Sequence, residues 1–300
     1  MPELPEVETV RRGLHGLIVG RVFKAVDHDN PKSFPNVPDD IKQFLIGSKV
    51  VDVRRRAKVL MIDLSSGCTL VIHLKMTGQL VFIDRKLVGS KSNIANEVRF
   101  AGGHPSDSLV GSLPDKSTRV VFYFKDETHL YFNDQRKFGW IRIIPTDEVE
   151  NLDFMKKVGP EPLEDNFTSK EFTECFMRRS KTSIKAALLD QSVIAGVGNI
   201  YADESLWAAK IHPSTLVGNL SSVKLKLLYE AVRLIMNLAI EKGGSTDRNY
   251  VDAEGKKGSY LSFAKVFRRE GQPCLSCGTE IIKLRVAGRG THICPVCQIL

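Results

Sequence analysis

Four cysteines near the C-terminus constrain this chain more than any other feature. Two residues separate Cys274 from Cys277 and two separate Cys294 from Cys297, and sixteen residues separate the pairs. At that spacing two knuckles close a tetrahedral thiolate site, and the residues between them return as a hairpin. A ribbon with so little core of its own needs its metal to fold. The ion expected at Cys274, Cys277, Cys294 and Cys297 is one structural zinc, because four thiolates leave no open position for water. Cys68 and Cys175 stand alone. The six together read as a metal pattern in a reducing compartment rather than a disulfide framework. The hairpin tip runs Arg285-Val286-Ala287-Gly288-Arg289-Gly290-Thr291-His292, which makes the ribbon a rigid mount for Arg289.

A ribbon of this kind needs a larger body. The chain has 300 residues, enough for roughly two domains. Its formal net charge of +8 favours a polyanionic partner. No apolar run approaches the ~20 residues of a spanning helix, and acids precede the first arginines with no apolar stretch behind them, so no secretory leader is expected.

From Pro5, the residues Val7, Val10, Leu14 and Leu17 recur at helical spacing, and Gly16 and Gly20 end the pattern. Residues 21–145 read mostly as strands, at 49–54, 58–64, 68–74, 79–83, 119–125, 128–132 and 138–144, divided by turn signals such as Ser65-Ser66-Gly67. Many short strands with short connections predict an antiparallel sandwich. Residues 84–118 break this pattern and read as a long exposed loop. Gly159-Pro160-Glu161-Pro162 reads as part of a linker over 149–163. Helices are expected at 168–178, 182–190, 200–209 and 221–241, the last capped by Ser221 or Ser222 and buried through Leu227, Leu228, Ala231, Leu234, Ile235 and Leu238. Gly196-Val197-Gly198-Asn199 is a glycine turn at a helix start, with Asn199 as a cap. Such a turn suits a phosphate, and Lys185 on the preceding helix could add a contact. Residues 243–260, with four glycines, read as a loop that could close over a ligand or serve as a connector.

The first residues, Met1-Pro2-Glu3-Leu4-Pro5-Glu6, carry the most distinctive chemistry. If Met1 is removed, Pro2 offers a free secondary amine, and an α-amino group titrates near ~7.7–8.0, so part of it is unprotonated at neutral pH. Attack on a sugar C1′ would give an iminium, an electron sink for elimination. Glu3 and Glu6 stand beside it to move protons. From this stretch alone a plain helix start, with proline in the first turn and acids at the positive dipole end, is the better reading, because Pro5 and Glu6 fit it fully.

Three further basic spots stand in the β region: Arg54-Arg55-Arg56-Ala57-Lys58, His73-Leu74-Lys75-Met76-Thr77-Gly78, and Asn133-Asp134-Gln135-Arg136-Lys137-Phe138-Gly139. Each by itself would be a solvated turn. Taken together with Pro2-Glu3-Leu4-Pro5-Glu6-Val7-Glu8, the turn from Gly196 to Tyr201 and the ribbon through Arg289-Gly290-Thr291-His292-Ile293-Cys294-Pro295, the chain resembles the bacterial formamidopyrimidine-DNA glycosylases over nearly its whole length.

The resemblance implies an α+β multidomain fold: an N-terminal antiparallel β-sandwich with an N-terminal helix (1–148), a helix–two-turn–helix domain (164–262) and a β-hairpin zinc finger (263–300). It implies a bifunctional glycosylase and AP lyase acting on oxidised purines in damaged double-stranded DNA. The enzyme would be a cytoplasmic, nucleoid-associated monomer of a bacterium, with no membrane partner. Pro2 would be the nucleophile, Glu3 the proton donor and Glu6 a lesion-positioning group. Lys58 would contact phosphate and assist catalysis, and Arg289 would hold phosphates beside the flipped nucleotide. His73, Lys185 and Asn199 would lie along the backbone. Met76, Arg136 and Phe138 would fill the gap that an extruded base leaves, with Arg136 reading the opposite base. The β domain and the helical and zinc parts would wall a basic cleft.

Several positions depart from the family pattern. Gln135 and Lys137 stand where proline and arginine are usual, Asp115-Lys116-Ser117-Thr118 replaces a basic or histidine-bearing segment, and 84–118 is longer than the usual connection. Two other readings remain open. One is an endonuclease VIII-like glycosylase for oxidised pyrimidines, against which Leu4 argues. The other is a non-catalytic zinc-ribbon DNA-binding protein, which leaves Pro2, Glu3, Glu6 and Lys58 together unexplained.

Overall fold

The computed structural model describes residues 1–84, 98–104, 108, 111–245 and 260–300. The chain forms two compact units. One comprises Met1–Lys156 and takes back the residues from Gly243; the other holds Lys157–Lys242 and the C-terminal residues from Tyr260.

The first unit opens with α1 (Leu4–Ile18), whose residues Val7, Val10, Leu14 and Ile18 are fully buried along one face. Two antiparallel sheets follow. The smaller has the order β2 (Val50–Arg56), β3 (Val59–Leu64), β4 (Cys68–His73) and β9 (Trp140–Pro145). The larger has the order β1 (Phe23–His28), β7 (Thr118–Phe124), β8 (His129–Asp134), β5 (Gly78–Asp84) and β6 (Val98–Gly103). Leu60, Ile62, Leu70, Ile72 and Ile141 of the first sheet share one core with Leu80, Phe82, Phe122, Leu130 and Phe132 of the second and with the buried face of α1. This is the expected β-sandwich.

Several strands are apolar on both faces rather than alternating, because each sheet is also covered outside. Val59, Met61 and Val71 pack beneath Val149 and Met155, and Val81, Val121 and Tyr131 pack with Leu113. A strand covered on both faces reads as a continuous apolar run.

One strand lies outside the segments named from sequence, and one expectation fails. β1 falls within the strand-rich region 21–145 but carries one fully buried residue and is otherwise partly exposed, so its periodicity is weak. Residues 84–118 are not simply a long loop. β6 pairs with β5 from Gln79↔Gly103 to Asp84↔Val98, and it sends Phe100 into the core against α1. A Cβ on Gly13 would lie 2.0 Å from the Phe100 ring, so the helix must carry glycine there. Residues 85–97, 105–107 and 109–110 of that stretch lie outside the described residues.

The second unit contains α2 (Ser169–Met177), α3 (Ile184–Leu189), α4 (Asn199–Ala208) and α5 (Ser222–Glu241). α2 is started by a Thr168–Glu171 capping box and α5 by Ser221, whose side chain accepts from Lys224 N–H. The buried stripe of α5 differs from the sequence reading. Leu225, Leu228, Val232, Ile235, Met236 and Ala239 are buried, while Leu227 and Leu234 face out.

Residues 149–163, expected as a linker, hold short helical turns at Thr146–Asn151 and Asp153–Lys156, and Gly159 N–H donates to Gln191 O. The hairpin β10 (Ile282–Val286) and β11 (Arg289–Ile293) turns through Ala287 and Gly288, both at positive φ, as a two-residue turn of this hand requires. The ribbon is part of the helical unit rather than a separate body. Glu204 of α4 accepts the backbone N–H groups of Lys265, Val266 and Phe267 at 2.8–2.9 Å and thereby fastens the chain leading into it. Burial nonetheless raises the Glu204 carboxyl above its ordinary pKa, those amides opposing.

Candidate active site

The N-terminal turn of the chain is fixed by buried contacts. Pro2 is buried and Met1 is half-exposed in front of it. Glu3 is 3% exposed at the N-cap of α1, and Glu6 is 4% exposed one turn later. The Glu6 carboxylate is a bridge. Its Oε2 accepts from Glu3 N–H at 2.7 Å, and its Oε1 accepts from Ser245 N–H at 2.7 Å. Gly244 makes that approach possible: its φ is +84°, and a Cβ there would lie 3.0 Å from Glu6 Oε1. Residues 243–245 thus dock on the N-terminal turn, while 246–259 lie outside the described residues.

Lys58 is the second residue of the two-residue turn between β2 and β3, after Ala57 at φ +52°, and is 7% exposed. That turn is braced to α1. Arg55 Nε donates to Glu8 Oε2 at 3.2 Å, and Arg55 Nη1 donates to Ala57 O at 3.0 Å. Burial raises the Glu8 carboxyl, but hydrogen bonds from Arg11 and Arg12 and the charges of Arg11 and Arg55 outweigh it and hold the group below its ordinary pKa. The brace fixes the mount of Pro2 and Glu3 relative to the turn bearing Lys58. Sequence alone gives neither Arg55 nor Glu8 a role, although a charged residue beside a buried helix face needs a partner.

His73 ends β4. Its Nδ1 accepts from Lys75 N–H at 3.1 Å, which leaves Nε2 as the ring's donor. Burial and the charges of Lys75 and Lys58 push its pKa down to about 3, so the imidazole is neutral at physiological pH. An unfolded histidine takes a proton near ~6.5. Between that value and about 3 the unfolded state binds the proton and the folded state does not. Stability therefore falls as pH drops through this window, by at most about 1.4 kcal/mol per unit. His73→Gln is expected to flatten that slope. Thermal denaturation at pH 4, 5 and 6 measures it, and an identical slope in the variant would show that other groups carry it.

Met76 sits half-buried in the turn after His73, while Arg136 and Phe138 are exposed in the turn between β8 and β9. Phe138 is 53% exposed, with the Arg136 guanidinium 4.8 Å from its ring centroid. An aromatic ring this exposed is available to stack.

In the second unit the sequence reading needs two corrections, at Lys185 and at Asn199. Lys185, expected at a phosphate, is 0% exposed. Its ammonium donates to Asp203 Oδ1 at 2.5 Å, Thr291 Oγ1 at 2.7 Å and Gly290 O at 3.3 Å. A buried ammonium needs such a cage, so the side chain ties α3 and α4 to the start of β11 instead of facing out. Asp203 completes the tie by accepting from His292 N–H at 2.9 Å. The sequence signal for it was Asp203-Glu204 inside an otherwise buried helix. Asn199 is the first residue of α4, whose cap is Gly198, so it does not cap the helix as expected. Its Nδ2 donates to Gly290 O at 3.0 Å, and its Oδ1 is buried without a hydrogen-bond partner among the described residues. Arg289 is exposed, immediately after the hairpin turn.

The four cysteine Sγ atoms lie within 4.8 Å of one another, with Cys274–Cys297 at 4.0 Å and Cys277–Cys294 at 3.4 Å. A tetrahedral zinc with bonds of about 2.3 Å separates its sulfurs by about 3.8 Å. The set fits one structural zinc.

Comparison with known proteins agrees with this geometry over the full chain. Residues 1–141 match the formamidopyrimidine-DNA glycosylase N-terminal domain, 158–250 the H2TH domain of the same glycosylase, and 271–299 the zinc finger found in FPG and IleRS. The formamidopyrimidine-DNA glycosylase of Pelotomaculum thermopropionicum is 40% identical over 299 residues, covering 99% of each chain. Among solved structures, a Lactococcus lactis FPG mutant with Fapy-dG containing DNA aligns at TM-score 0.83 and 35% identity over 99% of each chain. The Lactococcus lactis protein with an abasic site containing DNA aligns at 0.82 and 35%, over the same share.

Proposed function

The chain belongs to the formamidopyrimidine-DNA glycosylase family, and on that premise we propose that it excises oxidised purines, 8-oxoguanine and formamidopyrimidines, from duplex DNA and then cleaves the strand. The observation that carries the reading is the N-terminal Pro2-Glu3 pair. It is held at the start of α1 by Glu6 and braced through Glu8 and Arg55 to the turn bearing Lys58.

Once Met1 is removed, the Pro2 nitrogen attacks C1′ and the glycosidic electron pair leaves with the base, which takes up a proton. Glu3 protonates the ring oxygen as the C1′–O4′ bond opens, giving an iminium at C1′. Loss of a C2′ proton then expels the 3′ phosphate, a second elimination expels the 5′ phosphate, and water releases the sugar remnant and restores the amine. Glu6 orients this end of the chain through Glu3 N–H and positions the lesion.

Lys58, His73, Asn199 and Arg289 hold the DNA backbone, His73 as a neutral Nε2–H donor. Met76, Arg136 and Phe138 refill the stack, with Arg136 meeting the opposite base. Lys185 acts at one remove, by fixing Gly290 and Thr291 beside Arg289. The enzyme works on chromosomal DNA in a bacterial cytoplasm. Among the described residues no helix is long and apolar enough to cross a membrane.

Borohydride reduction during reaction with a duplex carrying one 8-oxoguanine opposite cytosine is expected to trap a covalent adduct. Peptide mapping should place it on Pro2, with strand cleavage in the unreduced sample. An adduct with an oxidised pyrimidine but not with 8-oxoguanine would move the chain to the endonuclease VIII-like reading. No adduct with either, despite a free Pro2 amine and tight binding, would leave a DNA-binding module without this chemistry.

A further inference from the structure

We propose that Asp134 is a positioning residue that joins the void-filling side chains into a single insertion unit. The proposal rests on the reading of Met76, Arg136 and Phe138 given above. Met76 belongs to the turn 74–78, Arg136 and Phe138 to the turn 134–139, and no local pattern connects the two.

The Asp134 carboxylate, 0% exposed, connects them. Its Oδ1 accepts from the Thr77 hydroxyl and from Arg136 N–H at 3.2 Å. Its Oδ2 accepts from Phe138 N–H at 2.8 Å and Gly139 N–H at 2.6 Å. Arg136 N–H is shared with Thr77 Oγ1 at 3.1 Å. Every donor therefore either bears a void-filling side chain or adjoins one.

Asp134 is itself anchored. Its N–H donates to Ser117 O at 2.7 Å, and its carbonyl accepts from Arg119 Nε at 3.0 Å. The segment in which this chain departs from the family pattern thus supports the loop from behind. On the far side, Gly78 O accepts from His104 N–H at 3.0 Å, so the end of β6 backs the Met76 turn. Gly139 is confined as well: a Cβ there would meet the Phe132 ring at 2.7 Å and Asp134 Oδ2 at 3.1 Å.

A wedge enters a base stack with little loss only if it is already ordered. Groups that read a base must be held to within about 0.5 Å by their supporting residues. Four donors converging on one buried carboxylate leave the two turns a single mutual arrangement, while Arg136 and Phe138 stay exposed for use. Asparagine cannot replace it: one oxygen becomes an NH2 group that faces donors, and a buried donor left unmatched is costly.

The test compares kcat/KM for 8-oxoguanine opposite cytosine with that opposite adenine. Asp134→Asn is expected to reduce the cytosine preference about tenfold or more, while cleavage of an abasic site in single-stranded DNA, which has no opposite base, stays at the parent rate. Thr77→Val removes one donor to the carboxylate and the second acceptor of Arg136 N–H but leaves the carboxylate in place, so it decides the matter if Asp134→Asn fails to fold. It should lower the preference in the same direction, and Thr77→Ser should restore it. An unchanged preference in folded Thr77→Val and Asp134→Asn proteins, with Arg136→Ala abolishing it, overturns the proposal. An unchanged preference in Arg136→Ala shows instead that Arg136 does not read the opposite base, and the proposal falls with that assignment.

Discussion

Glu3→Gln is expected to lower base excision by about 10²–10⁴-fold, the usual contribution of a positioned proton donor, while binding to a duplex carrying an uncleavable abasic analogue stays at the parent level. The substitution keeps shape and volume. It leaves the backbone N–H of residue 3 bonded to Glu6, so α1 begins as before. What it removes is an acidic proton beside the Pro2 amine. Single-turnover excision assays alongside equilibrium binding separate the two effects. A Glu3→Gln protein that excises within tenfold of the parent would remove Glu3 from proton transfer, and a variant that loses binding in equal measure would mark Glu3 as a scaffold residue only.

The prediction depends on a site only part of which was readable in advance. The N-terminal pair and the four cysteines are contiguous or closely spaced, so residue order alone places the reactive groups together. The buried face of α1 follows from Val7, Val10 and Leu14, although Ile18 rather than Leu17 completes it. α5 shows the limit of the same logic. An evenly apolar helix offers several plausible stripes, and only packing decides that Leu225 and Val232 go in while Leu227 and Leu234 stay out.

The connections that tune the site are non-local, and no periodicity reports them. Lys185 meets Asp203 eighteen residues on and Thr291 on the ribbon. Glu6 meets Ser245 across almost the whole chain. A basic residue beside a glycine turn looks the same in sequence whether it faces a phosphate or a buried carboxylate. Burial decides, because an ammonium removed from water must find its partners inside. β6 is illegible in the sequence for a related reason: its residues Ala101, Gly102 and Gly103 carry weak strand propensity, and the strand exists because β5 offers an edge and Gly13 a seat for Phe100.

Removal of zinc is expected to have the largest effect of all, and the cage around Lys185 explains why it spreads. Structural zinc sites of this type supply about 10–16 kcal/mol of apparent binding free energy at neutral pH, and in a ribbon this small that is folding free energy. Without the ion, β10 and β11 lose the knuckles that close them, and Arg289 loses its mount. Gly290, Thr291 and His292 also leave the Lys185–Asp203 pair, which opens a buried ion pair to water. Chelation, or Cys294→Ala, should therefore lower affinity for damaged duplex by at least the ~10–150-fold that loss of one charge-assisted phosphate contact represents. It should also make the residual binding less dependent on salt. Among the described residues the sandwich core is built from residues of the first unit, Val7 to Ile143, so its unfolding transition should persist in the chelated protein. Metal analysis, salt-dependent binding and calorimetry measure the three expectations. Full affinity in a zinc-free, ribbon-unfolded protein would mean that the DNA is held without Arg289.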